Sequence, residues 1–169
     1  MPSFKRVYGL DAALTSGVDL LRGLAQMTGI EVLDIPGVTD GLDNDYAAQA
    51  GGALKALETY DVAVIHVEAP DEAAHAGSIE DKIEAIQRVD KEVVSRLRSW
   101  DLKELRVLVM PDHPTPIEIQ THTDEPVPFV LWGSGFMPNG ATGFTEAEAR
   151  SKGISIDEGY TIMDRLISV

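Results

Sequence analysis

The 169-residue chain carries 14 basic and 28 acidic side chains, a formal net charge of −14, and so lacks the basic face that nucleic acid or an anionic membrane surface demands. Its 44% apolar residues suffice for a packed core and exclude intrinsic disorder. No run approaches the roughly 18 to 20 apolar residues of a membrane helix, and the start MPSFKRVYG lacks the apolar stretch of a secretion signal, so a cytoplasmic chain with no nucleic-acid or membrane partner is expected. With no cysteine in the sequence, disulfides, zinc thiolate sites and thiol nucleophiles fall away together, and any metal has to be held by carboxylate and imidazole.

The first ten residues are expected to be loose. Leu14, Val18, Leu21 and Leu24 share one helical face, and Thr28-Gly29 ends that helix before the short apolar strand Val32 to Ile35. A turn-rich stretch from Pro36 to Gly41 leads to a second helix over about Asp43 to Leu57, with Ala50, Leu54 and Leu57 facing inward. The nearly continuous apolar run from Val62 to Val67 reads as a buried parallel strand. Ser78-Ile79-Glu80-Asp81 opens a long helix to about Arg98, its buried face marked by Ile79, Ile83, Ile86, Val89 and Val93. Leu105 to Met110 and Phe129 to Trp132 supply the third and fourth strands. Thr145 caps a short helix, and Tyr160 to Ile167 closes the chain as another. Strands alternating with helices predict an α/β fold with a mostly parallel sheet in a three-layer α/β/α arrangement, organised as a single domain over residues 1–169.

In open α/β sheets ligands bind beyond the carboxyl ends of the strands, so candidate chemistry belongs at those positions. After the strand ending at Val67 stand Asp71 and His75, four residues apart and on one face if the segment is helical. After the strand ending at Met110 comes the adjacent pair Asp112-His113, set among Pro111, Pro114 and Pro116, and before the fourth strand stands His122. Taken singly, each is commonly a cap, a surface pair or turn chemistry. Taken together they mean more, because three of the four histidines occupy strand-end positions beside two aspartates. The fourth, His66, lies in an apolar strand and reads as a hydrogen-bonded supporting group rather than a ligand.

The strings HVEAPDEAAHAG at 66–77, MPDHPTP at 110–116 and THTDEPVPF at 121–129 resemble the alkaline phosphatase superfamily, and within it the archaeal-type cofactor-independent phosphoglycerate mutases. The stretch from Gly17 to Tyr46 and the EGYTIMDRLI tail extend the resemblance over nearly the whole chain. The resemblance implies an alkaline phosphatase-like fold, present in part. It also implies two divalent metal ions, manganese by preference with zinc or magnesium as alternatives: one held by Asp71, His75 and His122, the other by Asp112 and His113. In that family an N-terminal aspartate and a nucleophilic serine complete the second site; neither has a counterpart here, so no catalytic nucleophile is assigned. The chain thus resembles the C-terminal portion of a larger enzyme that interconverts 2- and 3-phosphoglycerate through a phosphoserine, inactive alone, with the N-terminal half as its missing partner. Its substrate in the complete enzyme is a phosphorylated small molecule. No Lys or Arg lies between Arg106 and Arg150, so either the cationic clamps for a phosphate come from elsewhere or the substrate is not a phosphate. Alternatives are a metal-dependent phosphatase or sulfatase of the same superfamily and a non-catalytic metal-binding remnant.

Overall fold

The computed structural model describes residues 1–100 and 104–168, which fall into two compact units. The first comprises Met1–Trp100 and Thr115–Thr121, the second Asp101–Pro114 and His122–Val169.

The first unit is built on a parallel sheet in the order β2-β1-β3, with β1 at Ala12–Thr15, β2 at Glu31–Val32 and β3 at Val62–Ile65. Strand β1 lies in the middle, buried at all four positions, with Ala13 opposite both Glu31 and Ala63. This strand was not foreseen: Leu14 belongs to it and not to the helix that follows, which runs from Asp19 to Thr28 as α2. The N-terminus is ordered too, since Ser3 accepts a hydrogen bond from the Arg6 N–H and starts a one-turn helix α1, Phe4–Tyr8. Two parallel crossovers, β1-α2-β2 and β2-α3-β3 with α3 at Tyr46–Ala56, cover the sheet with helix. Asp45 caps α3 through the Ala48 N–H, and Ala50 and Leu54 of that helix are buried as expected.

Beyond β3 a short helix α4, Ala69–His75, precedes α5, Ile79–Arg88, which Ser78 caps by accepting from the Asp81 N–H. A π-helical segment at Val89–Val94 and α6, Ser95–Ser99, continue it. The buried face of α5 differs from the one expected. Ile79, Ile83 and Ile86 are each more than half exposed, whereas Ala85 is fully buried and Val93 nearly so. A small residue at the contact lets the helix come close to its neighbours, and Ala85 and Val93 cluster with Tyr46, Ala50 and Ala69.

Polar side chains inside this unit are tied into one network. Asn44 donates to Gln49 Oε1 at 2.8 Å, and Gln49 Nε2 donates to the His66 carbonyl at 2.7 Å, joining the 36–45 turn to the end of β3. From α5, Arg88 donates to the Leu42 and Asn44 carbonyls and stacks 4.2 Å from the Tyr46 ring centre. Burial pushes the Tyr46 phenol above its ordinary pKa, with the Arg88 charge opposing the shift. Gly17, just past β1, meets the same turn: a Cβ there would sit 2.3 Å from the Thr39 carbonyl carbon. Backbone cannot swing aside as a side-chain tip can, so Gly17→Ala is expected to lower stability by roughly 1–3 kcal/mol, measured by urea unfolding. An unchanged midpoint would show that the turn is free to move.

The second unit contains β4, Arg106–Val109, paired antiparallel with β5, Val130–Gly133, so that Val107 faces Trp132. The third and fourth predicted strands therefore exist, and they pair antiparallel with each other, while the first unit's three strands form the parallel sheet. Arg106 reaches from β4 to the carbonyls of Leu166 and Ile167 at the end of α8, Ile162–Ile167. Helix α7, Glu146–Lys152, is capped by Thr145 as its sequence predicts. Among the described residues no helix is long and apolar enough to cross a membrane.

Candidate metal centre

Strand β3 ends at Ile65, and three residues later the chain turns into α4, whose single turn from Asp71 to His75 puts both side chains on one face. His75 Nε2 lies 3.1 Å from Asp71 Oδ2, and the two groups are partly exposed. The other side of each is occupied. His75 Nδ1 stands 2.9 Å from the Gln120 carbonyl oxygen, and Asp71 Oδ1 accepts a hydrogen bond from the buried Thr115 hydroxyl. Thr115 is itself held through its carbonyl by Lys82 Nζ at 2.7 Å. Gln120 adopts a left-handed backbone, φ 52°, which aims that carbonyl; a non-glycine residue there is a locally costly choice of the kind found at functional sites.

This arrangement bears directly on whether a metal ion fits. Histidine ligands of metals characteristically donate one ring N–H to a backbone carbonyl, which fixes the tautomer and leaves the other nitrogen's lone pair to the ion. His75 has that geometry: Nδ1 donates to the Gln120 carbonyl, and Nε2 faces a carboxylate oxygen. At 3.1 Å from Asp71 Oδ2, Nε2 is satisfied either by a proton, as an imidazolium–carboxylate pair, or by a divalent ion with ligand bonds of roughly 2.0–2.2 Å to imidazole and carboxylate, so the pair fits a metal ion.

The remaining expected ligands lie in the second unit. Asp112 caps its neighbour, accepting from the His113 N–H at 3.1 Å, and its other oxygen is 3.5 Å from His113 Nε2. His113 and His122 stack with ring centres 3.7 Å apart and planes inclined by 30°. The pairing is secured by the backbone, since the Thr123 N–H donates to the Pro114 carbonyl at 3.1 Å. Residues that the resemblance assigns to two different ions thus lie face to face.

Sequence reasoning overlooked the supports. Thr115 was visible only as part of a proline-rich string, and Lys82 as one of many charges on α5. Gln120 acts through its carbonyl, which any residue possesses, so no side-chain pattern could have flagged it.

A parallel α/β sheet with an Asp–His pair placed after its β3 strand is an arrangement found in metal-dependent α/β proteins. Within that class the chain belongs to the Metalloenzyme superfamily, whose family model matches residues 1–166. It is similar to the 2,3-bisphosphoglycerate-independent phosphoglycerate mutase of Methanothrix thermoacetophila, at 43% identity over 99% of this chain and 44% of that protein. A probable mutase of the same description from Geobacter sulfurreducens is 41% identical over 99% of this chain and 43% of its own length. The chain spans less than half the length of these relatives. Among solved structures, the PH0037 protein from Pyrococcus horikoshii matches with a TM-score of 0.93 and 29% identity, covering 99% of this chain and 51% of that one. The cofactor-independent phosphoglycerate mutase from Thermoplasma acidophilum shares the fold, with a TM-score of 0.75 at 21% identity over 99% of this chain and 39% of that one.

Proposed function

We propose that the chain is the metal-binding, C-terminal catalytic portion of a cofactor-independent phosphoglycerate mutase, acting on a phosphorylated three-carbon acid in a cytoplasmic setting. The observation that carries the reading is the orientation of His75, with Nδ1 on the Gln120 carbonyl and Nε2 on Asp71. One ion is assigned to Asp71, His75 and His122. In support, His122 follows Gln120 by two residues, and two Cα steps of about 3.8 Å keep it within roughly 7.6 Å of the residue that orients His75. The second ion is assigned to Asp112 and His113, with manganese the preferred metal at both.

When bound, paired divalent ions polarise phosphoryl oxygens and favour ionisation of a hydroxyl or water. The protein's own part is positional. Thr115 takes one oxygen of Asp71 so that the other faces the ion, and Gln120 fixes the His75 tautomer. The Lys82 ammonium, bonded to the Thr115 carbonyl, brings a basic residue to a loop whose own sequence has none. A serine nucleophile and its aspartate partner are assigned to the portion of the relatives that this chain does not match.

With three protein ligands at one ion and two at the other, manganese is expected to titrate as one tight and one weak equivalent. Isothermal calorimetry on the 169-residue chain decides it, and two equally tight equivalents would contradict the unequal ligand sets.

A further inference from the structure

Ser16 and His66 have no part in the ligand set, yet they form a directed chain of hydrogen bonds at the ends of the two central strands. Ser16 follows β1 and has no exposed surface. Its Oγ accepts from the Val18 N–H at 3.1 Å and lies 3.1 Å from His66 Nδ1, while His66 Nε2 lies 3.3 Å from Glu68 Oε2. The directions follow from the donors available. An ionised Glu68 can only accept, so Nε2 carries a proton. In the neutral imidazole Nδ1 is then an acceptor to which the Ser16 hydroxyl donates, and in the imidazolium Nδ1 donates to Ser16 Oγ; the Ser16–His66–Glu68 connection is the same in both. His66 is gripped at its backbone as well, its carbonyl accepting from Gln49 Nε2 at 2.7 Å.

The last member of this relay opens the helix that bears Asp71 and His75. The Glu68 carbonyl accepts from the Asp71 N–H at 2.8 Å and the Glu72 N–H at 3.2 Å. Its carboxylate stands among like charges, since one oxygen each of Glu68, Asp71 and Glu72 lie within 4.8 Å of one another. Those carboxylates repel, and the His66 N–H holds Glu68 in place against that repulsion.

We propose that Ser16 and His66 are positioning residues for the Asp71–His75 pair, acting through Glu68 to fix the first turn of α4. Because the Ser16 hydroxyl is buried, it touches no substrate, and the resemblance of Ser16, His66 and Glu68 to a nucleophile–base–acid series is one of hydrogen bonding alone. The inference rests on the reading of Asp71 and His75 as metal ligands. It adds two residues, 55 and five positions upstream of Asp71 in the sequence, on which the affinity for metal depends.

Two substitutions separate the halves of the relay. His66→Asn keeps a short polar group near Ser16 but cannot reach Glu68, whereas His66→Gln is long enough to do so. Manganese affinity, measured by calorimetry, is expected to fall about 10- to 100-fold in His66→Asn, the usual effect of losing a group that orients a metal ligand. His66→Gln is expected to stay within about threefold of the original, and Ser16→Ala to shift affinity in the same direction as His66→Asn. Amide hydrogen exchange at Asp71 and Glu72 is expected to quicken at least about tenfold in His66→Asn, since their partner carbonyl is loosened. Ala50→Gly in α3 serves as a destabilised control that should leave manganese affinity unchanged. Wild-type affinity and exchange in His66→Asn would overturn the proposal, as would an equal loss of affinity in Ala50→Gly. Should the unmodified chain take up no manganese, or Asp71→Asn take it up as well as the original, the reading of the metal pair fails instead. In that event, unaltered exchange in His66→Asn would still refute the positioning role, and quickened exchange would retain it for the helix alone.

Discussion

Replacing His75 by alanine is expected to abolish the tight manganese equivalent, weakening it by more than about 100-fold, because the loss of a ligand should exceed the 10- to 100-fold effect of disturbing its supports. The substitution removes Nε2 from beside Asp71 and leaves the Gln120 carbonyl without its donor. The latter is tolerable, since Gln120 is exposed and water can replace the ring. Folding should therefore survive, and calorimetry alongside a thermal unfolding curve will separate loss of the ion from loss of the fold. Retention of a tight equivalent would move the ion away from α4, leaving the His113 and His122 pair as the place to look.

The second large effect concerns turnover. Supplied with excess manganese and 3-phosphoglycerate, the 169-residue chain is expected to form no 2-phosphoglycerate detectable by a coupled enzyme assay. A serine nucleophile divides the transfer into two easier steps. Ser16 cannot serve, being buried, and Ser78 is committed to capping α5. Positioning is lacking as well, since the segment between Arg106 and Arg150 holds no cationic clamp, and oriented binding can supply on the order of 7–11 kcal/mol of barrier reduction. Slow hydrolysis of an activated aryl phosphate is compatible with this expectation. Isomerisation near the typical enzyme rate of about 10 per second would require a nucleophile within these residues and would end the assignment.

What the sequence discloses depends on which physical signal dominates locally. Helix starts were legible because Ser78 and Thr145 announce themselves chemically, and both cap as their neighbours predict. Strand β3 was legible as an unbroken apolar run. Strand β1 was not, since Ala12-Ala13-Leu14-Thr15 is half alanine, a residue with little strand preference, and Leu14 happens to fall in helical register with Val18 and Leu21. The isoleucines of α5 misled for a related reason: periodicity identifies an apolar face but not whether that face or a small-residue face meets the core, and here Ala85 does. At the candidate centre, the aspartates and histidines stood out by type and by position after strands. Their supports did not, because a threonine hydroxyl 44 residues from Asp71 and a backbone carbonyl 45 residues from His75 leave no local trace.

The seven residues Thr115–Thr121 pack with the first unit, although the chain on either side of them belongs to the second. Thr115 and Gln120, the two groups that grip Asp71 and His75, both lie in that inserted loop. A cut after Trp100, the obvious place to divide the sequence, would therefore release a fragment with Asp71 and His75 but neither clamp. Dissection, circular permutation or recombination of homologues would have to carry this loop along with the first hundred residues. Swapping it between relatives offers a way to change the setting of Asp71 and His75 without touching either residue.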